Sequence, residues 1–185
     1  SGKNPIAYGS TVDVKALTVE DAATTINGTL KAAATAVTDK TTAGLTVVDT
    51  IGTTGKKQYA AVSLGDITVG SAASGATTGA YFTLTNNAEN AVEASSLTVV
   101  KNTGASTFEL DAGKFSVGKL TNQGKVTLTD GEEFTLTGEG ANASGAEITL
   151  ASSKEYASLV VAEGASLQNQ GSITATDGEG KIYVG

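Results

Sequence analysis

Residues 120–138 read LTNQGKVTLTDGEEFTLTG, and residues 167–185 read LQNQGSITATDGEGKIYVG. Aligned without a gap, the two stretches share Leu, Asn-Gln-Gly, two Thr, Asp-Gly-Glu and the closing Gly. Their offset is 47 residues (167 − 120 = 47). A repeat of roughly 20–50 residues is typical of stacked folds in which each unit contacts only its neighbours. The repeat therefore decides how the rest of the chain is interpreted.

The repeated stretch alternates polar and apolar residues with the period of a β-strand. Alternation places every second side chain on the same face, so one face is expected to be apolar and the other rich in threonine. The predicted buried residues are Val126, Leu128, Phe134, Leu136 and Ile173, and the predicted outward residues are Thr127, Thr129, Thr135 and Thr174.

The two copies differ at their second strand. Between the two strands of each copy lies Asp-Gly, and we predict a positive φ at both Gly131 and Gly178 because glycine adopts that conformation without steric cost. In the ungapped alignment Phe134 meets Lys181, so Ile182 and Val184 fall on threonine positions. A one-residue shift turns a strand over. Either the last strand contains a slip or bulge, or both of its faces are covered.

From roughly Leu97 onward, the succession of Asn-x-Gly, a Thr-rich strand, Asp-Gly and another Thr-rich strand resembles the repeats of bacterial adhesin and autotransporter passenger β-solenoids. The resemblance implies a stacked β-structure and a place on a cell surface. A β-sandwich built from a duplicated hairpin would produce the same repeat. Solenoid and sandwich therefore both remain open.

The whole chain is predicted to be all-β, Gly/Thr-rich, with at most one short helix near the N-terminus. That helix would run from Thr18 to Ile26, with Thr18 as N-cap and acids in its first turn. We divide the chain into an extended arm (1–12), an N-terminal β-rich region (13–79) and a repeat-containing β domain (80–185).

The composition excludes several classes of function. The chain has no Cys, Met, Trp, His or Arg. Ser–His and Cys–His nucleophile pairs are therefore impossible, and zinc, haem and iron–sulfur sites lack their usual ligands. A net charge of −7 without a lysine cluster argues against nucleic-acid binding. No apolar run reaches the roughly 20 residues of a transmembrane helix, so membrane insertion is not expected. We predict no catalytic residue and no cofactor.

Two acidic turns are the candidates for a metal site. Asp130 and Glu132 match Asp177 and Glu179 in the repeat. Stacked on one another, these carboxylates could bind calcium through oxygen ligands, although solvated turns are the preferred interpretation. Two glycosylation triplets, at Asn27 and Asn142, are attributed to chance in a chain rich in Ser and Thr.

The predicted function is structural and non-enzymatic. We expect self-assembly, or decoration of a larger lattice, on a cell surface, an extracellular fibre or a bacteriophage virion. The assembly contact is assigned to the last strand and the N-terminal arm, at Ile6, Tyr8, Ile182, Tyr183 and Val184, because an exposed apolar edge strand tends to pair with another chain. The alternative is an adhesive β-solenoid module that binds carbohydrate through exposed Thr and Asn.

Overall fold

The computed structural model describes residues 6, 9–20, 24–38, 41–52, 54–71, 79–101, 104–151, 156–176 and 180–185, with only the backbone described at 130–132. Every regular element in this part of the chain is a β-strand, which confirms the all-β class. The strands are β1 (Thr11–Val14), β2 (Leu17–Thr18), β3 (Thr24–Ile26), β4 (Thr29–Ala32), β5 (Ala34–Val37), β6 (Thr42–Val48), β7 (Thr50–Ile51), β8 (Lys57–Gln58), β9 (Ala61–Ser63), β10 (Asp66–Val69), β11 (Tyr81–Asn87), β12 (Val92–Val99), β13 (Thr107–Asn122), β14 (Lys125–Asn142), β15 (Glu147–Ala151), β16 (Ala157–Val161), β17 (Ser166–Asn169), β18 (Ser172–Thr176) and β19 (Gly180–Val184).

The strands stack into three faces that the chain visits in turn. Face 1 contains β1, β4, β9, β16, β19, the start of β12 and the middle of β13 and β14. Face 2 contains β2, β5, β10, β17 and the ends of β12, β13 and β14. Face 3 contains β3, β6, β11, β15, β18 and the starts of β13 and β14. These pairings are all parallel, so the fold is a β-solenoid and not a sandwich of antiparallel hairpins.

Side chains that face the interior form rows running from coil to coil. One row on face 1 contains Val12, Leu30, Val62, Val92, Phe115, Phe134, Leu159 and Ile182. Each coil buries its apolar side chains against the coil before it and the coil after it, and each buried Leu, Val or Phe contributes roughly 1.5–3 kcal/mol. In the described part of the chain, the first and last coils each have a neighbouring coil on one side.

The 47-residue repeat corresponds to two coils. Leu120 pairs with Gly140, and Gly140 pairs with Leu167. The intermediate coil does not show the repeat in sequence because its offset from the preceding coil changes, from 20 residues at Gly140 (140 − 120 = 20) to 25 at Leu159 (159 − 134 = 25), and because glycine stands where the repeat has leucine. A Cβ atom at Gly140 would collide with the side chains of Leu136 and Leu167, so the neighbouring leucines fill the space that a side chain at 140 would need. The apolar row is maintained although the sequence pattern is lost.

The predicted core of the repeat is confirmed. Val126, Leu128, Phe134 and Leu136 are buried, and Ile173 is partly buried because it lies on the last coil. The intervening threonines of β14 are partly exposed and Thr174 is exposed. Strand β14 continues through Gly131, whereas Gly178 lies outside the described residues, so equivalent turns at these two glycines stay a prediction.

All four phenylalanines of the chain meet at the corner between faces 3 and 1. The ring of Phe108 lies 5.1 Å from Phe115, 5.7 Å from Phe82 and 6.4 Å from Phe134, between centroids. Phe115 and Phe134 are 5.3 Å apart. Offset and edge-to-face contacts of this kind add stability beyond area burial. The cluster links three successive coils.

The short helix predicted from Thr18 to Ile26 is wrong in its described residues. Thr18 ends β2, and Thr24–Ile26 forms β3, which pairs with β6. Ile26 is buried in the interior row beside Val47. Stacking of this row outweighs the local helix signal, because burial of a strand face contributes more than a helix N-cap.

The ladders run without interruption past the proposed division at residues 79–80. Strand β10 pairs with β5 and with β12, while β11 pairs with β6 and with β13. The arm assigned to residues 1–12 includes the start of β1, and Ile6 forms a parallel bridge with Ile26. The described part of the arm therefore lies against the first coils.

Candidate functional site

The last coil leaves apolar interior positions without cover. Ile182 is 51% exposed and Val184 is 76% exposed. The strand pairing shows which face of β19 is turned inward. Ile182 pairs with Leu159, which pairs with the buried Phe134, so Ile182 and Val184 occupy interior positions. Leu128 and Ala175 share a row, as the ungapped alignment requires, whereas Phe134 shares its row with Ile182 and not with Lys181. The second copy of the repeat therefore has one extra residue, between Ala175 and β19. Tyr183 faces outward beside Val160.

The first coil ends in an apolar cavity. Ile6, β1 and β2 form its rim, and its volume is about 410 Å³. Its lining includes Ile6, Val12, Val14, Leu17, Val19, Ile26, Leu30 and Leu45. The valines of β1 are only partly buried, and among the described residues no strand pairs with the outer side of β1. This end is therefore concave and apolar.

The predicted assembly residues lie at opposite ends of one chain. Ile6 belongs to the first coil, and Ile182, Tyr183 and Val184 belong to the last. They do not meet within one molecule. Tyr8 lies outside the described residues. A contact between these two groups requires two copies of the chain, and that contact stays a prediction.

A buried ladder of asparagines, which the sequence interpretation missed, closes the corner after face 2. Asn122 Nδ2 donates to Asn142 Oδ1 at 2.8 Å, and Asn142 Nδ2 donates to Asn169 Oδ1 at 2.7 Å. The same two amides also donate to the Glu147 and Ser172 carbonyls of the following coil. The signal was present, because Asn122 and Asn169 open the repeated Asn-Gln-Gly. Asn142 was noted only as a glycosylation triplet, and its burial and bonding hold its amide inside the corner.

An ionic cluster attaches the hairpin formed by β7 and β8 to the solenoid. Asp49 accepts hydrogen bonds from the Ala60 and Glu89 amides, and Lys57 Nζ lies 3.3 Å from Asp49 and 2.8 Å from Glu89. Burial alone would raise the pKa of Asp49, but the two amides and Lys57 outweigh it and lower that pKa below its usual value. The hydrogen bond to Glu89 raises the pKa of Lys57. These contacts hold the hairpin against the solenoid.

Face 3 carries a second polar cluster, on its outer surface. Glu109 accepts hydrogen bonds from Tyr81 at 2.6 Å, from Thr129 at 2.7 Å and from Thr83 at 3.2 Å. Burial and the Glu109 hydrogen bond raise the pKa of Tyr81 to about 12. The hydroxyl groups that could contact a ligand here are therefore already engaged with a carboxylate of the same face.

A shallow groove of about 330 Å³ opens on face 1 between β4, β9 and the start of β12. It exists because β9 is short and meets β12 through one residue pair, Ser63 and Glu93. Lys31 and Glu93 lie on its walls, so it presents one charge of each sign. Asn90 borders the groove and donates to the Ala60 carbonyl, which fixes this wall to the hairpin connection.

The structure does not describe the side chains of the four candidate calcium ligands. No side-chain position is described for Asp130 or Glu132, and Asp177 and Glu179 lie outside the described residues. Within the described part of the chain, no group of three or more acidic side chains comes together. The same residues contain no helix that could cross a membrane.

Comparisons with protein-family models, with curated proteins and with solved structures gave no match to this chain.

Proposed function

We propose that this chain is a non-enzymatic structural subunit that assembles with copies of itself through the ends of its solenoid. The observation that carries the proposal is the exposure of interior apolar side chains on the last coil, at Ile182 and Val184. Exposed apolar patches beside unpaired strand edges tend to become contact surfaces, because pairing with another chain satisfies the backbone and removes apolar surface from water.

The solenoid is suited to a structural role. Its stack of parallel strands is stabilised by contacts between successive coils, so it forms a stiff spacer whose length scales with coil number. Its outer surface is acidic and rich in Thr, Ser and Gly, a composition that resists nonspecific association. We place it outside the cell, on a cell surface, in an extracellular fibre or on a virion.

An exposed aromatic side chain on face 3 favours the carbohydrate-binding alternative. Tyr81 presents an aromatic side chain, 37% exposed, among the threonines of face 3, and aromatic rings stack on sugars. Against it, the Tyr81 hydroxyl and two threonine hydroxyls donate to Glu109. Self-assembly therefore has the stronger structural support.

Removal of residues 181–185 tests the proposal. We expect the truncated chain to retain its β-rich circular dichroism spectrum and to sediment as a monomer, whereas the full chain sediments as assemblies whose size grows with concentration. Ser116→Lys, an outward change in the middle of face 1, is the matched control and should assemble like the full chain. A monomeric full chain would refute the proposal, and unfolding or unchanged assembly of the truncated chain would remove the last strand from it. A glycan-binding screen on the same samples tests the alternative.

A further inference from the structure

Both ends of the solenoid present apolar side chains from its interior rows. The first coil is concave, with the cavity of about 410 Å³, and the last coil presents Ile182 and Val184. We propose that copies of the chain stack head to tail, with the last coil of one copy on the first-coil cavity of the next. This inference rests on the proposed function and specifies its contact.

The interior rows identify which side chains would meet. Val12 and Ile182 are the two ends of the same row on face 1, and β1 and β19 are its two outermost strands. Stacking the last coil on the first coil of another copy continues that row, with Ile182 against Val12 of the next copy. The two side chains that would meet are apolar, as are all the members of this row inside the molecule.

Strand direction favours the head-to-tail arrangement over the two symmetric ones. The described pairings of the three faces are parallel. When copies stack head to tail, both wind in the same sense and β19 pairs with β1 in parallel, as every neighbouring coil does. Stacking last coil on last coil reverses one copy and gives antiparallel pairing. A heterologous contact of this kind leaves a free end on every assembly, so it produces an open fibre.

Charges on the outer side of face 1 agree with this register. Asp13 lies in the same outward row as Tyr183, and Lys181 lies in the adjacent row, with its Nζ 3.0 Å from the centroid of the Tyr156 ring. In the stacked pair, Lys181 of one copy and Asp13 of the next are diagonal neighbours across the contact, a distance that long side chains span. Opposite charges at such positions mainly fix orientation and register.

Two blocked variants test the arrangement. Val12→Lys blocks the first-coil end and leaves the last coil intact, while Ile182→Lys does the reverse. We expect each variant alone to sediment as a monomer and an equimolar mixture to form heterodimers that do not grow further, because only one compatible pair of ends remains. Circular dichroism and thermal melting establish that both variants are folded.

The outcomes separate the inference from the proposed function. If the unmodified chain is monomeric at all concentrations, both fail. If it assembles but Val12→Lys alone forms dimers, or Ile182→Lys alone does, the contact is symmetric and only the head-to-tail inference fails. A mixture that remains monomeric while the unmodified chain assembles also overturns the inference.

A charge exchange gives a second test should the lysine variants not fold. Asp13→Lys and Lys181→Glu should each weaken association about two- to fivefold, the range of one exposed ion pair. The double variant should recover the affinity of the unmodified chain, because the pair is restored with reversed sign. Additive weakening in the double variant would show that these residues do not face each other.

Discussion

The corner after face 2 is held by valines in the early coils and by asparagines in the later ones. A single row at this corner contains Val19, Val37, Val69 and Val99, followed by Asn122, Asn142 and Asn169. The shortest and the longest connections at this corner follow an asparagine and a valine, respectively, although β15 begins five residues after Asn142 (147 − 142 = 5) and β6 also begins five residues after Val37 (42 − 37 = 5). Strand β14 begins three residues after Asn122 (125 − 122 = 3), whereas β11 begins twelve residues after Val69 (81 − 69 = 12).

The difference shows how a tight corner satisfies its backbone. A short connection leaves amide and carbonyl groups without strand partners, and unpaired buried groups are costly. Asn122 accepts from the Gly124 amide and donates to the Glu147 carbonyl, which a valine cannot do. At the same corner of the early coils, where valines occupy the row, the Ser106 hydroxyl oxygen accepts from the Ala80 amide at 3.2 Å, just ahead of β11 and β13.

The largest expected effect concerns the phenylalanine cluster, which stabilises the later coils. Phe134→Ala should lower the free energy of unfolding by about 3–5 kcal/mol, because it removes a fully buried ring that contacts two others. Urea unfolding measures the loss, with the outward neighbour Thr135→Ala as control. A loss below about 1 kcal/mol would place Phe134 outside the core.

The asparagine ladder can be tested by making a late coil resemble an early one. Asn142→Val should cost about 1–3 kcal/mol, although valine is the residue of this row elsewhere, since the Ser172 carbonyl would lose its donor. Asn169→Val, at the exposed end of the ladder, is the matched control and should cost less in the same thermal melts. Equal losses would indicate that the ladder contributes no more than local packing does.

A smaller effect is expected at high pH on face 3, where β11 of the early coils joins β13. The pKa of Tyr81 is raised from 10.0 to about 12, so its contribution is fully present below pH 10 and is lost as the pH rises through about 12. Tyr81→Phe should therefore reduce the fall in stability over that range, by under about 1 kcal/mol because the hydroxyl is partly exposed to solvent. Tyrosinate absorbance should lose its highest-pKa transition in this variant. Retention of that transition would assign it to another tyrosine.

The smallest expected effect concerns the ionic cluster of Asp49, Lys57 and Glu89 at low pH. The pKa of Asp49 lies below its ordinary value of 3.8, so its contribution is present above that value and is lost as the pH falls through the folded-state pKa. Asp49→Asn should flatten this acid-side decline, and its effect on stability should shrink as the pH falls through the folded-state pKa. Glu139→Gln, on an exposed residue away from both ends of the solenoid, serves as control. An acid transition of unchanged size in Asp49→Asn would show that other carboxylates cause it.

Alternation alone gave a correct prediction of which side chains of the repeat are buried. Val126, Leu128, Phe134 and Leu136 follow the period of a strand, and that period fixes faces whatever the strand pairs with. The sequence also showed that Ile182 and Val184 fall on threonine positions of the repeat. It could not decide their orientation, because the ungapped alignment missed the extra residue before β19.

Local sequence determined the all-β class and the apolar faces of the repeat strands, and the absence of His and Cys excluded nucleophile pairs of the Ser–His and Cys–His types. Only the tertiary structure decided that the strands pair in parallel as coils, that 47 residues make two coils, and that three distant asparagines form one ladder. The physical reason is that strand alternation is a property of neighbours in sequence, whereas pairing direction and row membership depend on connection lengths and on contacts between coils. Thr24–Ile26 illustrates the point: its helix signal is local, but Ile26 completes an interior row, and burial in that row makes the segment a strand.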